Sequence, residues 1–221
     1  TGPGYAASIA SREGAIVTGI DFSVSMVVQA RMTFPTIIFE TADVEALPFG
    51  DETIEFSVSN FGFQHFPNPD KALREVLRVL KPRGALGFTV WAEADRNAAS
   101  LILEQALNRF AVVPGPIPEG PNYGFLWNDA QLRETLGNAG YDPATTTSKP
   151  HVIPWILKDS DELFPAEISG SARSGARLRQ ETPEVLERIR RAMTEDIETN
   201  DNENGSLIIP MAAYVISANK P

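Results

Sequence analysis

Short runs of β-branched and aromatic residues alternate with helix-length stretches over the first ninety positions of the chain. Four of these runs predict buried strands: Ala15 to Ile20, Thr36 to Glu40, Thr53 to Ser59 and Ala85 to Trp91. The stretches between them are long enough for the helices that connect parallel strands. This alternation predicts a doubly wound α/β domain.

The clearest helix is predicted between Asn68 and Leu80. Apolar residues recur at i, i+3, i+4 and i+7 from Leu73, which is typical of a helix with one buried face. Asn68 is a good capping residue, and Pro69 suits the first turn.

The pattern becomes less regular after Trp91. A capping signature predicts a further helix from Asn128 to Gly140, and a mostly charged segment with an apolar stripe predicts a helical insertion over 158–204. The last apolar run, Ser206 to Ser217, is a predicted closing strand. Pro210 within it indicates a bulge or a sheet edge, because proline cannot donate to a strand pair.

Composition and charge exclude several classes of protein. The 221 residues are 43% hydrophobic and 22% charged, which is typical of one globular domain with a modest appendage. Nineteen lysines and arginines against 29 acidic residues give a net charge of −10, which disfavours a nucleic-acid partner. The absence of cysteine and the presence of only two histidines predict no metal site. No apolar run approaches a membrane span of ~20 residues, so we expect a soluble, cytoplasmic protein.

The chain opens on a glycine-rich stretch, TGPGYAA at residues 1–7. It matches the second half of a strand-to-helix turn, in which glycines let the backbone approach a ligand. A buried strand should precede such a turn, so we expect the first strand of the sheet to lie upstream of Thr1. The G-x-G-x-x-A pattern alone is equally typical of an ordinary tight turn.

An acidic residue follows the next predicted strand. Asp21 comes 17 residues after Gly4, where nucleotide-binding folds place the acid that binds ribose hydroxyls, and Phe22 adds an apolar face. The alternative role for Asp21 is to cap the following helix, although Ser23 already suits that role. A nicotinamide enzyme and a methyltransferase both fit these residues.

Two later stretches favour the methyltransferase. Asp43, in TADVEALPF at residues 41–49, suits a hydrogen bond from an adenine amino group, and the following strand leads into NFGFQHF at residues 60–66. No Tyr-x-x-x-Lys pair occurs in the sequence, so a short-chain dehydrogenase would lack its base.

These stretches, TGPGYAASIA, VTGIDFS and Thr41 to Trp91, resemble class I S-adenosylmethionine-dependent methyltransferases of the UbiE/COQ5-like, small-molecule branch. The resemblance is strong from Thr1 to about Glu93 and concerns only the fold beyond that point. It implies a Rossmann-like α/β sheet that is mostly parallel, with an antiparallel last strand. It would assign the final two strands to Tyr141 to Pro154 and to Leu207 to Ala218. The cofactor-binding core would cover residues 1–157 and 205–221, and a helical cap would cover residues 158–204.

The resemblance also implies which residues bind S-adenosylmethionine. The glycine turn would face the methionyl and ribose part, Asp21 the ribose hydroxyls, Asp43 the adenine amino group, and Asn60 the transferring methyl group. The complete set lies at the ends of strands: Thr1, Gly2, Gly4, Asp21, Phe22, Met26, Asp43, Val44, Asn60 and Phe61.

His65 is the predicted catalytic residue. Histidine is the side chain that titrates near neutrality, so His65 could deprotonate a hydroxyl or amine acceptor. The alternative is a packing role beside Phe63 and Phe66. Methyl transfer from a sulfonium depends mainly on alignment and exclusion of water, so the reaction does not require a base.

We therefore predict methyl transfer from S-adenosylmethionine to a small apolar or aromatic metabolite, as in secondary metabolism, with S-adenosylhomocysteine as the product. The sequence does not decide whether the acceptor atom is oxygen, nitrogen, carbon or sulfur. It is compatible with a homodimer. Two alternatives also stay open: a non-catalytic relative that binds a cofactor or a partner, and, more distantly, an NAD-binding oxidoreductase.

Overall fold

The computed structural model describes residues 1–93, 96–113, 124–200 and 207–221. Contacts between residues divide the described chain into two units. The first lies within Thr1–Val90, Gly120–Pro150 and Tyr214–Pro221, and the second lies within Trp91–Glu119 and His151–Ala213. All the residues predicted to bind the cofactor belong to the first unit.

The described residues form six strands: β1 Thr18–Asp21, β2 Ile38–Thr41, β3 Ile54–Asn60, β4 Leu80–Trp91, β5 Thr147–Leu157 and β6 Leu207–Asn219. β1 and β2 form a parallel pair. The other four strands form a sheet in the order β3-β4-β6-β5, in which β3 and β4 are parallel. The predicted α/β fold with mostly parallel strands is therefore confirmed.

β6 runs antiparallel to β4. The Ala92 N–H donates to the Ala212 carbonyl at 3.0 Å, and the Lys220 N–H donates to the Gly84 carbonyl at 2.8 Å. Residue numbers therefore rise along β4 while they fall along β6, as predicted for the last strand.

Of the two alternatives predicted at Pro210, the sheet edge is wrong, because β6 lies between β4 and β5, and the bulge stays a prediction. β4 ends at Trp91, and Ala92 already pairs with Ala212. Pro210 therefore lies beyond the end of β4, where that strand requires no N–H donor from it.

The described residues form eight helices: α1 Tyr5–Arg12, α2 Val24–Thr33, α3 Pro69–Val79, α4 Ala98–Phe110, α5 Asp129–Ala139, α6 Leu163–Gly170, α7 Ala172–Leu178 and α8 Pro183–Asn200. The predicted caps are confirmed. Asn68 Oδ1 accepts the Lys71 N–H at 3.0 Å, and Asn128 Oδ1 accepts the Gln131 N–H at 3.1 Å.

The longest delays between a predicted and an observed strand start are those of β1 and β5. β1 begins at Thr18 because the Ala15 N–H donates to the Ala10 carbonyl, which keeps that residue at the end of α1. β5 begins at Thr147 because Tyr141 instead belongs to the core, where its hydroxyl donates to the Leu73 carbonyl at 3.0 Å.

Phe39 is the side chain that packs β2 against the start of the chain. It is 2% exposed and lies in a cluster with Ala7 and Ala30. A Cβ atom on Gly19 would lie 2.5 Å from Phe39 Cδ1, and one on Gly4 would lie 2.8 Å from Phe39 Cζ. Both glycines are therefore needed for the ring to pack closely against β1 and the glycine turn.

The core of the second unit is formed largely by α4 and α8. The apolar stripe of α8 includes Ile189 and Met193, which are buried in one cluster with Leu103 and Leu107 of α4. The residues predicted to form a cap fold into α6, α7 and α8 over 158–200, and 201–204 lie outside the described residues. The division into a cofactor-binding core and a substrate cap stays a prediction.

Candidate functional site

Asp21 ends β1 and contacts the glycine turn. Its Oδ2 accepts the Gly2 N–H at 2.8 Å, its Oδ1 accepts the Ser23 N–H at 2.9 Å, and the Thr1 nitrogen lies 3.2 Å from Oδ2. The structure therefore brings the predicted ribose acid together with two predicted turn residues. Each carboxylate oxygen has two lone pairs, so Oδ1 retains one for a hydroxyl donor, and Oδ2 gains one where a hydroxyl takes the place of the Thr1 nitrogen.

The surroundings of Asp21 favour its charged form. Burial raises the pKa of its carboxyl group, but the hydrogen bonds from the Ser23 and Gly2 N–H groups and the nearby Thr1 ammonium together outweigh burial and bring the pKa below its ordinary value of 3.8. The side chain is therefore an ionised acceptor at neutral pH. Hydrogen bonds to an ionised acceptor are stronger than those between neutral groups.

The two turn glycines have different roles. Gly2 and Gly4 both have a positive φ, of 54° and 92°, which favours glycine at both positions. A Cβ on Gly2 would meet no described atom within 4 Å, whereas a Cβ on Gly4 would clash with Phe39. Gly2 therefore has open space beside Asp21, and Gly4 is required for packing.

Asp43 follows β2 by two residues, just beyond the point where Thr41 of β2 pairs with Asp21 of β1. The Ala42 N–H donates to the Asp21 carbonyl at 3.0 Å, which continues the parallel pairing beyond both strands. Because the carboxyl ends of parallel strands lie at one edge, Asp21 and Asp43 belong to the same edge. Asp43 Oδ1 accepts the Glu45 N–H at 2.9 Å, while the side chain stays exposed and the neighbouring Val44 is half-buried.

The loop after β2 is held by two charged residues of α3. Glu75 Oε1 accepts the Leu47 N–H at 2.8 Å and also binds Arg78 at 2.6 Å. Arg78 Nη1 donates to the Phe49 carbonyl at 2.9 Å and to Asp51 Oδ1 at 2.6 Å. Sequence reasoning missed these residues because charges three positions apart on an amphipathic helix are typical of a solvated face. Only the fold shows that they fix the loop that begins at Asp43.

The ion pair between Glu75 and Arg78 predicts a loss of stability at acidic pH. Hydrogen bonding to Arg78 holds the pKa of Glu75 below its ordinary value of 4.5. Its contribution to the free energy of unfolding is therefore complete above pH 4.5 and is lost as the pH falls through the lower, folded-state pKa. We expect the difference in unfolding free energy between wild type and Glu75→Gln to shrink between pH 6 and pH 3, as measured by urea denaturation.

Glu104→Gln is the matched control for this measurement. Glu104 is exposed on α4 and forms no hydrogen bond or ion pair within the part of the chain that the structure describes. The control removes the same charge without breaking an ion pair. An equal pH dependence in both variants would contradict the role of Glu75.

Asn60 and Phe61 form a constrained turn at the end of β3. Asn60 pairs in register with Thr89 of β4, and the Thr89 hydroxyl donates to Asn60 Oδ1 at 2.7 Å. The Thr89 Oγ1 atom in turn accepts the Phe61 N–H at 2.9 Å. Phe61 has a φ of 52°, in the left-handed region that non-glycine residues rarely adopt. Thr89 was missed from the sequence because only the strand register places it opposite Asn60.

The structure leaves the role of His65 open. His65 ends the 3₁₀ turn Phe63–His65 and is exposed, whereas Phe63 is buried and stacks on Phe88 at 4.6 Å between ring centroids. Phe63 therefore packs in the core beside Phe88. The catalytic role of His65 stays a prediction.

Two apolar residues predicted to lie near the adenine are accessible. Phe22, directly after Asp21, is 77% exposed, and Met26 on the first turns of α2 is 37% exposed. Exposed aromatic side chains of this size are available to cover a flat apolar ligand. Their contact with adenine stays a prediction.

Within residues 1–93, 96–113, 124–200 and 207–221, no cluster of three or more histidine, aspartate or glutamate side chains is placed to hold a metal ion. None of the helices in these ranges combines the length and the apolar character needed to span a membrane.

Comparison with protein families and curated relatives gives a consistent result. Residues 1–88 match the family described as a methyltransferase domain. A demethylmenaquinone methyltransferase of Chlorobaculum tepidum is 37% identical over 155 residues, which are 65% of this chain and 64% of that protein. A protein of the same name from Chlorobaculum parvum is 40% identical over 85 residues, 38% of this chain and 35% of the relative. The chain thus spans less than two thirds of the length of these relatives.

Solved structures show the same fold at low sequence identity. The YcgJ protein of Bacillus subtilis has a TM-score of 0.62 and 19% identity, with 99% of this chain and 88% of that chain covered. A phosphoethanolamine N-methyltransferase 2 of Haemonchus contortus, in complex with phosphomonomethylethanolamine and S-adenosylhomocysteine, has a TM-score of 0.52 and 16% identity. The match covers 100% of this chain and 47% of that one.

Proposed function

We propose that this protein transfers the methyl group of S-adenosylmethionine to a small molecule. The proposal proceeds from the match of residues 1–88 to a methyltransferase domain and from the similarity to a demethylmenaquinone methyltransferase. The family match confirms the resemblance predicted from the glycine turn and the strand-end acids. S-adenosylhomocysteine would be the second product.

The contact between Asp21 and the glycine turn carries the proposal. An ionised carboxylate at the carboxyl end of β1, held by the Gly2 and Ser23 N–H groups, suits the two hydroxyls of a ribose. Gly2 supplies open space beside it, and Thr1 completes the turn. Asp43 and Val44, at the same edge of the parallel pair, suit the adenine ring.

The chain's own residues would orient the two reactants. S-adenosylmethionine supplies a sulfonium whose methyl group is already electrophilic. Asn60 and Phe61, held at the end of β3 by Thr89, would restrict the position of that methyl group. Alignment of this kind accounts for much of the rate in a transfer that needs little acid or base chemistry. His65 would deprotonate the acceptor only where the acceptor carries a proton on the attacking atom.

For the acceptor, we propose an apolar ring compound of the quinone type. The support is the name of the relatives, which are demethylmenaquinone methyltransferases, together with the accessible aromatic surface at Phe22. This choice is a narrower form of the small apolar or aromatic metabolite predicted from the sequence.

Calorimetric titration tests the cofactor, and product formation tests the reaction. The full chain should bind S-adenosylhomocysteine and should not bind NAD, whereas the oxidoreductase alternative requires the reverse. Incubation with methyl-labelled S-adenosylmethionine and chemically reduced demethylmenaquinone, whose ring carbon is nucleophilic, should give a labelled hydroquinone as the ring carbon loses its proton. Binding of S-adenosylhomocysteine without transfer to any member of a metabolite panel would instead favour the non-catalytic alternative.

Asp43 offers a more specific test of the cofactor position. Asp43→Asn retains an oxygen for the Glu45 N–H but replaces the other oxygen with a donor, which cannot accept from an adenine amino group. We expect the dissociation constant of S-adenosylhomocysteine to rise by about 3- to 10-fold, since one hydrogen bond is lost.

An analogue without the adenine amino group serves as the control for Asp43. It should bind the wild type and Asp43→Asn with similar affinity, because it cannot form the bond that the variant loses. If the variant weakens the analogue as much as it weakens S-adenosylhomocysteine, Asp43 does not bind the amino group.

A further inference from the structure

The Thr89 hydroxyl connects two groups at the end of β3. It lies 2.7 Å from Asn60 Oδ1 and 2.9 Å from the Phe61 nitrogen. Thr89 is on β4, and the parallel register places it opposite Asn60. A single side chain of the neighbouring strand therefore contacts both residues predicted to lie beside the transferring methyl group.

The polarity of these hydrogen bonds follows from the atoms involved. The Phe61 N–H can only donate, so Thr89 Oγ1 accepts from it. The hydroxyl has one hydrogen, which it donates to Asn60. In the structure that hydrogen goes to Asn60 Oδ1, so the carboxamide of Asn60 presents its oxygen to Thr89 and keeps its nitrogen, Nδ2, for another partner.

Asn60 Nδ2 is available to a ligand. The Asn60 side chain is exposed, and Nδ2 forms no hydrogen bond with any residue in the described ranges. The left-handed conformation of Phe61 turns the chain immediately after Asn60, so the carboxamide stays at the end of the strand. Residues in this conformation require support from their surroundings, and the Thr89 hydroxyl provides one supporting hydrogen bond.

We propose that Thr89 is a positioning residue that fixes the Asn60 carboxamide as a hydrogen-bond donor to an oxygen of the bound reactants. This inference rests on the proposed methyltransferase function, and it specifies that Asn60 is a hydrogen-bond donor in that site. The oxygen belongs either to the methionyl carboxylate of the cofactor or to the acceptor molecule, since both chemistries accept from an amide N–H.

Asn60→Asp tests the donor. Aspartate has the shape of asparagine and accepts from Thr89, but it replaces Nδ2 with a second acceptor oxygen. If the partner is the cofactor, the dissociation constant of S-adenosylhomocysteine should rise roughly 5- to 10-fold, and that of an analogue without the carboxylate should not change. If the partner is the acceptor, binding of S-adenosylhomocysteine should be unchanged and kcat/KM for demethylmenaquinone should fall by the same factor. No change in either measurement overturns the proposal.

Thr89→Val and Thr89→Ser test the positioning role. Valine keeps the branched shape suited to a strand and removes the hydroxyl, whereas serine keeps the hydroxyl. We expect Thr89→Val to reproduce most of the Asn60→Asp loss and to speed amide hydrogen exchange at Phe61 by roughly 10-fold. Thr89→Ser should resemble the wild type in both measurements. Equal behaviour of the two variants overturns the role of the hydroxyl.

The wild type separates failure of this proposal from failure of the proposed function. A wild-type chain that binds no S-adenosylhomocysteine refutes the proposed function. A wild-type chain that binds it, while all three variants match it in affinity, turnover and Phe61 exchange, refutes only the assignment of Thr89 and Asn60. Urea denaturation of each variant should show an unfolding midpoint close to that of the wild type.

Discussion

Asp21→Ala is expected to weaken binding of S-adenosylhomocysteine by roughly 10- to 100-fold, or about 1.5–3 kcal/mol. The Asp21 carboxylate is ionised at neutral pH and is partly buried, so its hydrogen bonds to ribose hydroxyls would be charge-assisted. Its two oxygens already hold Gly2 and Ser23, which limits its motion before the ligand arrives. Less conformational freedom is therefore lost when the ribose binds. Isothermal titration calorimetry measures the effect.

Asp21→Asn separates the ribose contact from the support of the turn. Asparagine keeps one acceptor oxygen but loses the charge, so we expect a loss of affinity between those of wild type and Asp21→Ala. An analogue of S-adenosylhomocysteine without ribose hydroxyls should bind wild type and Asp21→Ala about equally. An unchanged dissociation constant for S-adenosylhomocysteine in Asp21→Ala would exclude Asp21 from the ribose site.

Gly19→Ala is expected to lower the free energy of unfolding by about 1–3 kcal/mol, the usual cost of overfilling a packed core. The new Cβ would lie 2.5 Å from Phe39 Cδ1 and 2.9 Å from Thr1 Oγ1. Phe39 is 2% exposed and packs in a cluster that includes α1 and α2 residues, so its ring has little room to move. Relief of the clash must therefore displace either the ring or the glycine turn.

Gly87→Ala is the matched control for Gly19→Ala. Gly87 also lies within a strand, opposite Val58, but a Cβ there would meet no described atom within 4 Å. Alanine at Gly87 should change stability by less than about 0.5 kcal/mol or increase it, because it restricts the unfolded chain. Urea denaturation compares the two variants. Equal destabilisation would show that the contact with Phe39 is not the cause.

The sequence was most informative where chemistry is local. A helix cap such as Asn68 acts within four residues, so the start of α3 was predictable from neighbouring positions. The position of Asp21 at the carboxyl end of β1 was predictable because a short apolar run precedes it, whereas its ribose role stays a prediction. The family match confirms the methyltransferase resemblance that these residues suggested, and the solved structures confirm the fold.

Features that depend on distant parts of the chain were missed. Thr89 lies 29 positions from Asn60, and only the register of β3 with β4 brings them together. Glu75 accepts the Leu47 N–H although the two residues are 28 positions apart. The charged helix face on which Glu75 lies gives no sign of this contact in the sequence. The interior position of β6 was also unpredictable, because Pro210 suggests an edge unless the point where β4 ends is known.

The position of the predicted cofactor residues along the chain has an evolutionary consequence. All ten lie between Thr1 and Phe61, and none comes from the second unit. Under the proposed function, selection for the methyl donor acts on this short N-terminal stretch and on the residues that support it, such as Thr89. The second unit contributes none of the ten residues, so under the proposed function changes confined to that unit can alter the methyl acceptor while the donor site is kept.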